Sequence, residues 1–393
     1  MNPERGQIPT VRIGILGIIT ITVYGSWHYS FGVLLDPIIA DTGWSEAALA
    51  GAFGASMLLG GLASVLGGFL LDRYGSRSVF LLAALVGLVA FHFAASASSL
   101  ATFALAGAVG GGVISALGFY HVTMTTAVRI TPLATNRAIA VLTIWGAFAS
   151  VIFLPLSAWL VETWGWRATL RTITFSAVAA LLLGAGLIDT RTTEMPAGRG
   201  LISELRGAMR STPTRQFIVA TGLLGIGIGT ILVYQVPTMT AAGLSLASAS
   251  FWAGFRGFSQ LGGRLPLMPI VERLGTVGGY RLAVAAVAVG GVVLAFASTP
   301  VLALIFALLV GFGVGASSPL QGMHARDLFG AAGLGTALGV LAMVFFVVGS
   351  VGPIAAGWLA ETTGSRVIPV LASALVTISA VPLIRPAANR VSR

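Results

Sequence analysis

Arg256 is the residue with the most chemistry to offer. It stands in the apolar segment Ser250–Leu267 (SFWAGFRGFSQLGGRLPL) and is the one charge deep inside any apolar segment of the chain. If that segment enters a membrane near Ser245–Ser248, Arg256 lies about 12–17 Å in at ~1.5 Å per residue, close to the middle of a ~30 Å hydrocarbon layer. A guanidinium at that depth costs several kcal/mol unless it faces water or an anion. The sequence offers no nearby carboxylate, so the expected partner is a mobile anion, the substrate. Trp252 and Gln260, at i−4 and i+4, fall on the same helix face and are candidates for shaping a cavity around it.

Other polar side chains are spaced to join such a site. Tyr120 can donate a hydrogen bond to a carboxylate or simply pack, and the adjacent His121 points to a different wall. Tyr24, His28 and Phe31 follow i, i+4, i+7 on one face. His28 is a candidate proton carrier, since imidazole titrates near neutrality; a packed polar residue is the alternative. Thr230, Tyr234 and Thr238 make a polar stripe with Gln235 beside it, and such stripes face a cavity or a helix contact; Tyr234 is the candidate there. Asp36, at the outer end of its segment, could relay protons or be a solvated loop charge. The four His are scattered without metal-ligand spacing, and no metal or cofactor is expected.

These residues need elements to carry them, and composition says which. The chain of 393 residues is 56% apolar and 9% charged, where a soluble protein needs about 25% charged residues. It reads as a polytopic membrane protein in a lipid bilayer. There is no Cys, hence no disulfide framework, thiol catalysis or Cys-based metal site. All 22 basic residues are Arg. They sit in short loops between apolar runs, a topology signal rather than a nucleic-acid face. The first run, behind Arg5 and Arg12, reads as a retained span and not a signal peptide.

Twelve apolar runs are long enough to span: 12–36, 46–70, 78–97, 100–126, 138–161, 168–188, 216–241, 247–268, 279–297, 300–324, 333–359 and 367–385. The division of the third from the fourth rests on Ser96–Ser99. With the N-terminus inside, inner segments hold 18 Arg and outer loops three, Arg167, Arg171 and Arg366. That bias places both termini in the cytoplasm. The longest polar stretch, Asp189–Arg215, divides the chain into halves 1–188 and 216–393 with a linker at 189–215. Within the linker, Ile202–Met209 could form a surface helix. The halves read as a repeat offset by about 200 residues, the way secondary transporters build two bundles around a midplane site. Gly68-Phe-Leu-Leu-Asp72-Arg73-Tyr-Gly75 is echoed by Met268-Pro-Ile-Val-Glu272-Arg273-Leu-Gly275. Gly110–Gly112 is echoed by Gly311, Gly313 and Gly315.

Gly68-x-x-x-Asp72-Arg73-x-Gly75-x-Arg77, on an inner loop between spans two and three, resembles the signature of the major facilitator superfamily. An acid and an arginine at a helix end can pair with each other and with a neighbouring helix terminus, latching one conformation. The second copy is degraded, with Met268 for the first Gly and Val277 for the last Arg. Within the superfamily the chain resembles the monocarboxylate transporter and oxalate/formate exchanger group. The resemblance rests on Phe31-Gly32-Val33, Gly43-Trp44-Ser45, Tyr120 in a Gly-rich span, Gly165-Trp166-Arg167 and the lone Arg256. In that group the span-eight arginine binds the substrate carboxylate. Animal monocarboxylate carriers set an aspartate one turn before it, where this chain has Trp252. They also use a lysine in span one, where the nearest polar residues here are His28 and Tyr29. The exchanger's second cation, in span eleven, has no counterpart in 333–359. One cation suits a monoanion better than a dianion.

The expected protein is therefore an all-α, twelve-span transporter of the cell membrane, working as a monomer. It carries a small organic anion, a lactate- or pyruvate-sized monocarboxylate, with protons. A drug exporter would need an intramembrane carboxylate, and none is present. A non-transporting receptor would need a larger cytoplasmic segment than 189–215. No nucleophile–base pair or phosphate loop points to an enzyme.

Overall fold

The computed structural model describes residues 9–190, 211–329 and 334–386. Among them the secondary structure is helical, with no strand. In chain order the helices are α1 (Thr10–Tyr24), a π-turn (Gly25–Tyr29), α2 (Phe31–Thr42), α3 (Glu46–Ser96), α4 (Leu100–Gly118), α5 (Tyr120–Ile130), α6 (Thr135–Leu187) and α7 (Thr212–Ala241). There follow α8 (Leu246–Arg264), α9 (Leu267–Ala295), α10 (Pro300–Phe329), α11 (Leu334–Gly349), α12 (Val351–Thr363) and α13 (Val367–Ile378). The surface helix expected at Ile202–Met209 lies outside the described residues, as do Arg5, Arg191, Arg199, Arg206, Arg210, Arg390 and Arg393.

Eight helical stretches are long and apolar enough to cross a membrane. Two of them are too long for one crossing. α3 has 51 residues and α6 has 53, roughly 75–80 Å of helix against a ~30 Å hydrocarbon layer. Each doubles back at a glycine: Gly75 has φ 79°, ψ 171° and Gly165 has φ 75°, ψ 169°. A Cβ is strongly disfavoured in that region of backbone space. Gly275 breaks α9 with nearly the same angles, φ 69° and ψ 170°.

The internal repeat is visible in these turns and in the caps. The six left-handed glycines among the described residues form three pairs, Gly43/Gly243, Gly75/Gly275 and Gly165/Gly364, separated by 200, 200 and 199 residues. Ser45 and Ser245 each accept a hydrogen bond from the N–H three residues on, at 3.3 and 3.2 Å. Ser99 and Thr299 do the same at 3.2 and 3.4 Å. Each side-chain oxygen satisfies one of the donors a helix start leaves open.

Polar contacts mark the two ends of the bundle. At the end where α1 begins, Asp72 pairs with Arg129 of α5, whose Nη1 also donates to the Leu71 carbonyl at 3.1 Å. There Arg281 Nε donates to the Ile384 carbonyl at 2.8 Å. Asp72 takes Arg129, while Arg73 lies over the Tyr74 ring, 5.6 Å from its centroid, and Arg77 is exposed. The close helix approach is at Gly67, where a Cβ would sit 2.2 Å from the Ala116 carbonyl; Gly68 has open space.

At the opposite end Arg366, between α12 and α13, pairs with Asp36 of α2 and with Glu46 of α3. Burial works against its charge, but hydrogen bonds and charge from the two carboxylates outweigh this and raise its pKa. Arg366 also donates to the Pro237 carbonyl of α7 at 3.2 Å. Beside it, Glu361 of α12 accepts from the Ser45 hydroxyl and from Ala47 N–H. These contacts tie α2 and α3 to α7, α12 and the start of α13.

Candidate functional site

The α1–α2 segment does not run as one regular helix. Its five-residue π-turn shifts the helical register between Tyr24 and Phe31. Ser30 holds the wide turn: its hydroxyl donates to the Gly25 carbonyl at 2.6 Å and bonds the Ser157 hydroxyl at 2.7 Å. As a result Tyr24, His28 and Tyr29 all face one cavity, while Phe31 turns into the core. Trp27 leaves by the other side. Its indole N–H donates to Ser56 at 2.8 Å, and its ring fills the space left by Gly107 and Gly111.

A second irregularity places Tyr120. The helix expected over 100–126 breaks at Phe119, which has an extended backbone and divides α4 from α5. Phe119 stacks on Tyr24 at 3.7 Å between ring centroids. The Tyr120 hydroxyl lies directly over Gly146 of α6, in the space a Cβ there would fill.

The cavity these residues share has a volume of about 280 Å³, in the range of a small solute. α8 contributes Arg256, Gln260 and Arg264, at i, i+4 and i+8. Leu224, Ile228 and Leu232 of α7 and Phe345 and Phe346 of α11 supply apolar walls. Arg256 is 2% exposed. Its Nε donates to Gln235 Oε1 at 3.1 Å, and the Tyr29 ring centroid lies 5.7 Å from the guanidinium carbon, within cation–π reach. Its Nη2 has no partner. Among the described lining residues there is no carboxylate. His28 sits among Phe53, Phe119 and Phe346, with neither ring nitrogen hydrogen-bonded.

Of the residues singled out from sequence, Arg256, Gln260, Tyr120, Tyr24 and His28 meet in this cavity. Three do not line it. Trp252 packs against Phe251 and Phe255, because the cavity face of α8 runs from Arg256 toward Arg264. Tyr234 is fully buried elsewhere, since the cavity face of α7 is the apolar row Leu224, Ile228 and Leu232. Asp36 is held in the Arg366 cluster, where Thr240 also donates to it at 3.4 Å. Three residues were missed as site members: Tyr29, which only the π-turn brings round; Gln235, which orients Arg256; and Arg264. The signal for Arg264 was present as an i+8 spacing from Arg256, but near the inner end of 247–268 it was counted among the inner-side arginines.

A bundle of apolar helices, internally repeated, around a solute-sized cavity lined from α1, α5, α7, α8 and α11 is the architecture of a membrane transport protein. Residues 16–258 match the model of the Major Facilitator Superfamily, and the chain belongs to that superfamily. It is 24% identical over 349 residues to monocarboxylate transporter 13 of Rattus norvegicus, covering 86% of this chain and 79% of that one. To the Bos taurus protein of the same name it is 26% identical over 221 residues, covering 55% of this chain and 51% of the relative. The fold matches a mutant form of the nucleoside transporter NupG with a TM-score of 0.81 at 14% identity, over 95% of this chain and 98% of that one. A D-xylose–proton symporter matches with a TM-score of 0.73 at 14% identity, over 96% and 98%. Family and structural neighbours make the chain a secondary transporter rather than an enzyme.

Proposed function

We propose that the transported solute is a small organic anion, a monocarboxylate carried in symport with protons by alternating access. One observation carries the reading: Arg256, buried and with one nitrogen of its guanidinium unpartnered, lines a cavity whose described lining holds no carboxylate. A buried cation in that position is stabilised by a carboxylate accepting its hydrogen bonds. Tyr24, Tyr29 and Tyr120 offer hydroxyls around it, and the apolar walls of α7 and α11 suit a short carbon chain. Kinship with proteins named monocarboxylate transporter agrees with this chemistry. A cavity lined by cations does not suit export of cationic drugs. His28, in the cavity and without a hydrogen-bond partner, is the proposed proton carrier.

The same reading sets the topology. Counting α3 and α6 as two crossings each, with α8 and the short apolar Val367–Leu383 added, gives twelve spans. They group as 1–188 and 216–393 about the linker 189–215. The arginine bias puts both termini in the cytoplasm of a cell-membrane protein, and the cavity sits within one chain, so a monomer is the functional unit. The Arg366 cluster then lies outside, and access is from the cytoplasm.

Uptake of labelled lactate and pyruvate into proteoliposomes under an inward proton gradient tests the proposal. Wild type should concentrate the acid. Arg256→Ala should lower uptake by about 30-fold or more, the loss of about 2 kcal/mol or more of a buried charge-paired contact. Arg256→Lys should restore only part, since it keeps the charge and loses the planar fork. Folded wild type that moves neither acid under any gradient would overturn monocarboxylate symport.

A further inference from the structure

Among the described residues, five phenyl or phenol side chains line the cavity: Tyr24, Tyr29, Tyr120, Phe345 and Phe346. Each is half-buried, whereas aromatic residues of the core such as Trp27, Phe53 and Phe103 are sealed. From the first part of the chain the rings form a continuous run that starts at the cation. The Tyr29 centroid lies 5.7 Å from the Arg256 guanidinium carbon, Tyr24 is 6.2 Å from Tyr29, and Tyr120 is 5.6 Å from Tyr24. From the second part, Phe345 and Phe346 of α11 stand 5.5 Å apart between centroids. Phe346 also meets rings of the first part, 5.9 Å from Phe119 and 6.5 Å from His28. Leucine and isoleucine, as on the α7 wall, would serve an alkyl solute equally well. Rings offer something more, since edge-to-face and offset-stacked contacts add to burial only when the partner is itself a ring. The volume of about 280 Å³ stands near the lower end of sites that enclose drug-sized ligands, more room than a lactate-sized acid fills.

We propose that the preferred solute is an aryl monocarboxylate, an acid whose carboxylate binds at Arg256 and whose short carbon chain ends in an aromatic ring. The ring is held between the run Tyr29, Tyr24, Tyr120 and the pair Phe345, Phe346. The proposal rests on the monocarboxylate reading and names the kind of acid within it. One negative charge meets Arg256, as that reading requires, and the apolar row of α7 flanks the chain. Because the two sets of rings belong to the two parts of the repeat, a bound aryl group bridges them.

The test is direct binding by calorimetry to purified protein in lipid nanodiscs, at about pH 7.5, where carboxyl groups are ionised. The probes are phenylpropionate and cyclohexylpropionate, each with its ring at the chain end, and lactate. The first two have equal charge and carbon number, and the saturated ring is the more apolar, so burial alone favours it. Wild type should bind phenylpropionate about fivefold tighter than its saturated counterpart, the size of one favourable ring contact. Phe345→Leu and Phe346→Leu should each bring that ratio toward one, Phe345→Tyr should keep it, and Arg256→Gln should weaken both acids. The ratio is the readout because a general loss of fold or affinity moves both acids together. Equal or tighter binding of the cyclohexyl acid by wild type, or a ratio that survives both leucine substitutions together, overturns the aryl proposal and leaves the monocarboxylate reading standing. Binding of lactate alone does the same. Binding of none of the three overturns both.

Discussion

Gln235 sets the plane of the Arg256 guanidinium, accepting from its Nε at 3.1 Å. Tyr120 is fixed by a different device. Its hydroxyl occupies the space above Gly146, where a Cβ would come within 1.5 Å of the oxygen. Gly146→Ala must therefore push the phenol out of its position, while the glycine's ordinary helical backbone accepts alanine without strain. The expected outcome is substrate affinity lowered about tenfold, as for one lost hydrogen bond to a charged group, with thermal unfolding little changed. Calorimetry and a melting curve on the same sample check it. An unchanged affinity would show that the Tyr120 hydroxyl plays no part in binding.

Regular periodicity made the helices legible, and breaks in periodicity hid part of the site. Spans such as 216–241 and 300–324 announce themselves by apolar length, and the Gly75 turn by its motif. Arg256 was legible because charge in an apolar run has few structural explanations. The π-turn at Gly25–Tyr29 left no such mark: it depends on Ser30 meeting Ser157, a residue 127 positions away. Regular spacing therefore put Phe31 on the cavity face, where the structure has Tyr29. On α7 the polar stripe Thr230, Tyr234 and Thr238 left a cavity and a helix contact both open; all three are buried and none lines the cavity, Thr230 donating to the Ile226 carbonyl of its own helix. Ser30→Ala removes both hydrogen bonds that hold the wide turn. It should cost about 1–2 kcal/mol of stability and weaken anion binding as His28 and Tyr29 rotate away. Loss of stability without loss of binding would mean that the turn holds itself.

Alternating access requires that α2 and α3 separate from α7, α12 and α13 at the end now closed, and the Arg366 cluster is what joins them there. One guanidinium bridges Asp36 and Glu46 from the first part of the chain to its own position after α12, and Glu361 binds Ser45 and Ala47 across the same gap. The closed end is thus stabilised by charge, while the packed helices beneath are tied by small residues, as where Gly357 meets Ala47 and Ala50. Arg366→Gln keeps a hydrogen-bonding side chain and removes the charge. A partly exposed ion pair contributes about 1 kcal/mol, so the open-to-closed ratio should rise about fivefold. Asp36→Asn should act in the same direction, because it leaves Arg366 with Glu46 alone. Protonation of either carboxylate would do likewise, which links the closed end to the proposed proton coupling. The chain has no native Cys, so spin labels at Ser98 and Ser298, exposed at that end on the two parts of the repeat, report the opening without background. Electron–electron resonance should show a longer-distance population growing in Arg366→Gln and growing again when the substrate anion is removed. A distance distribution identical to wild type would place the barrier to opening in the helix packing instead of the ion cluster.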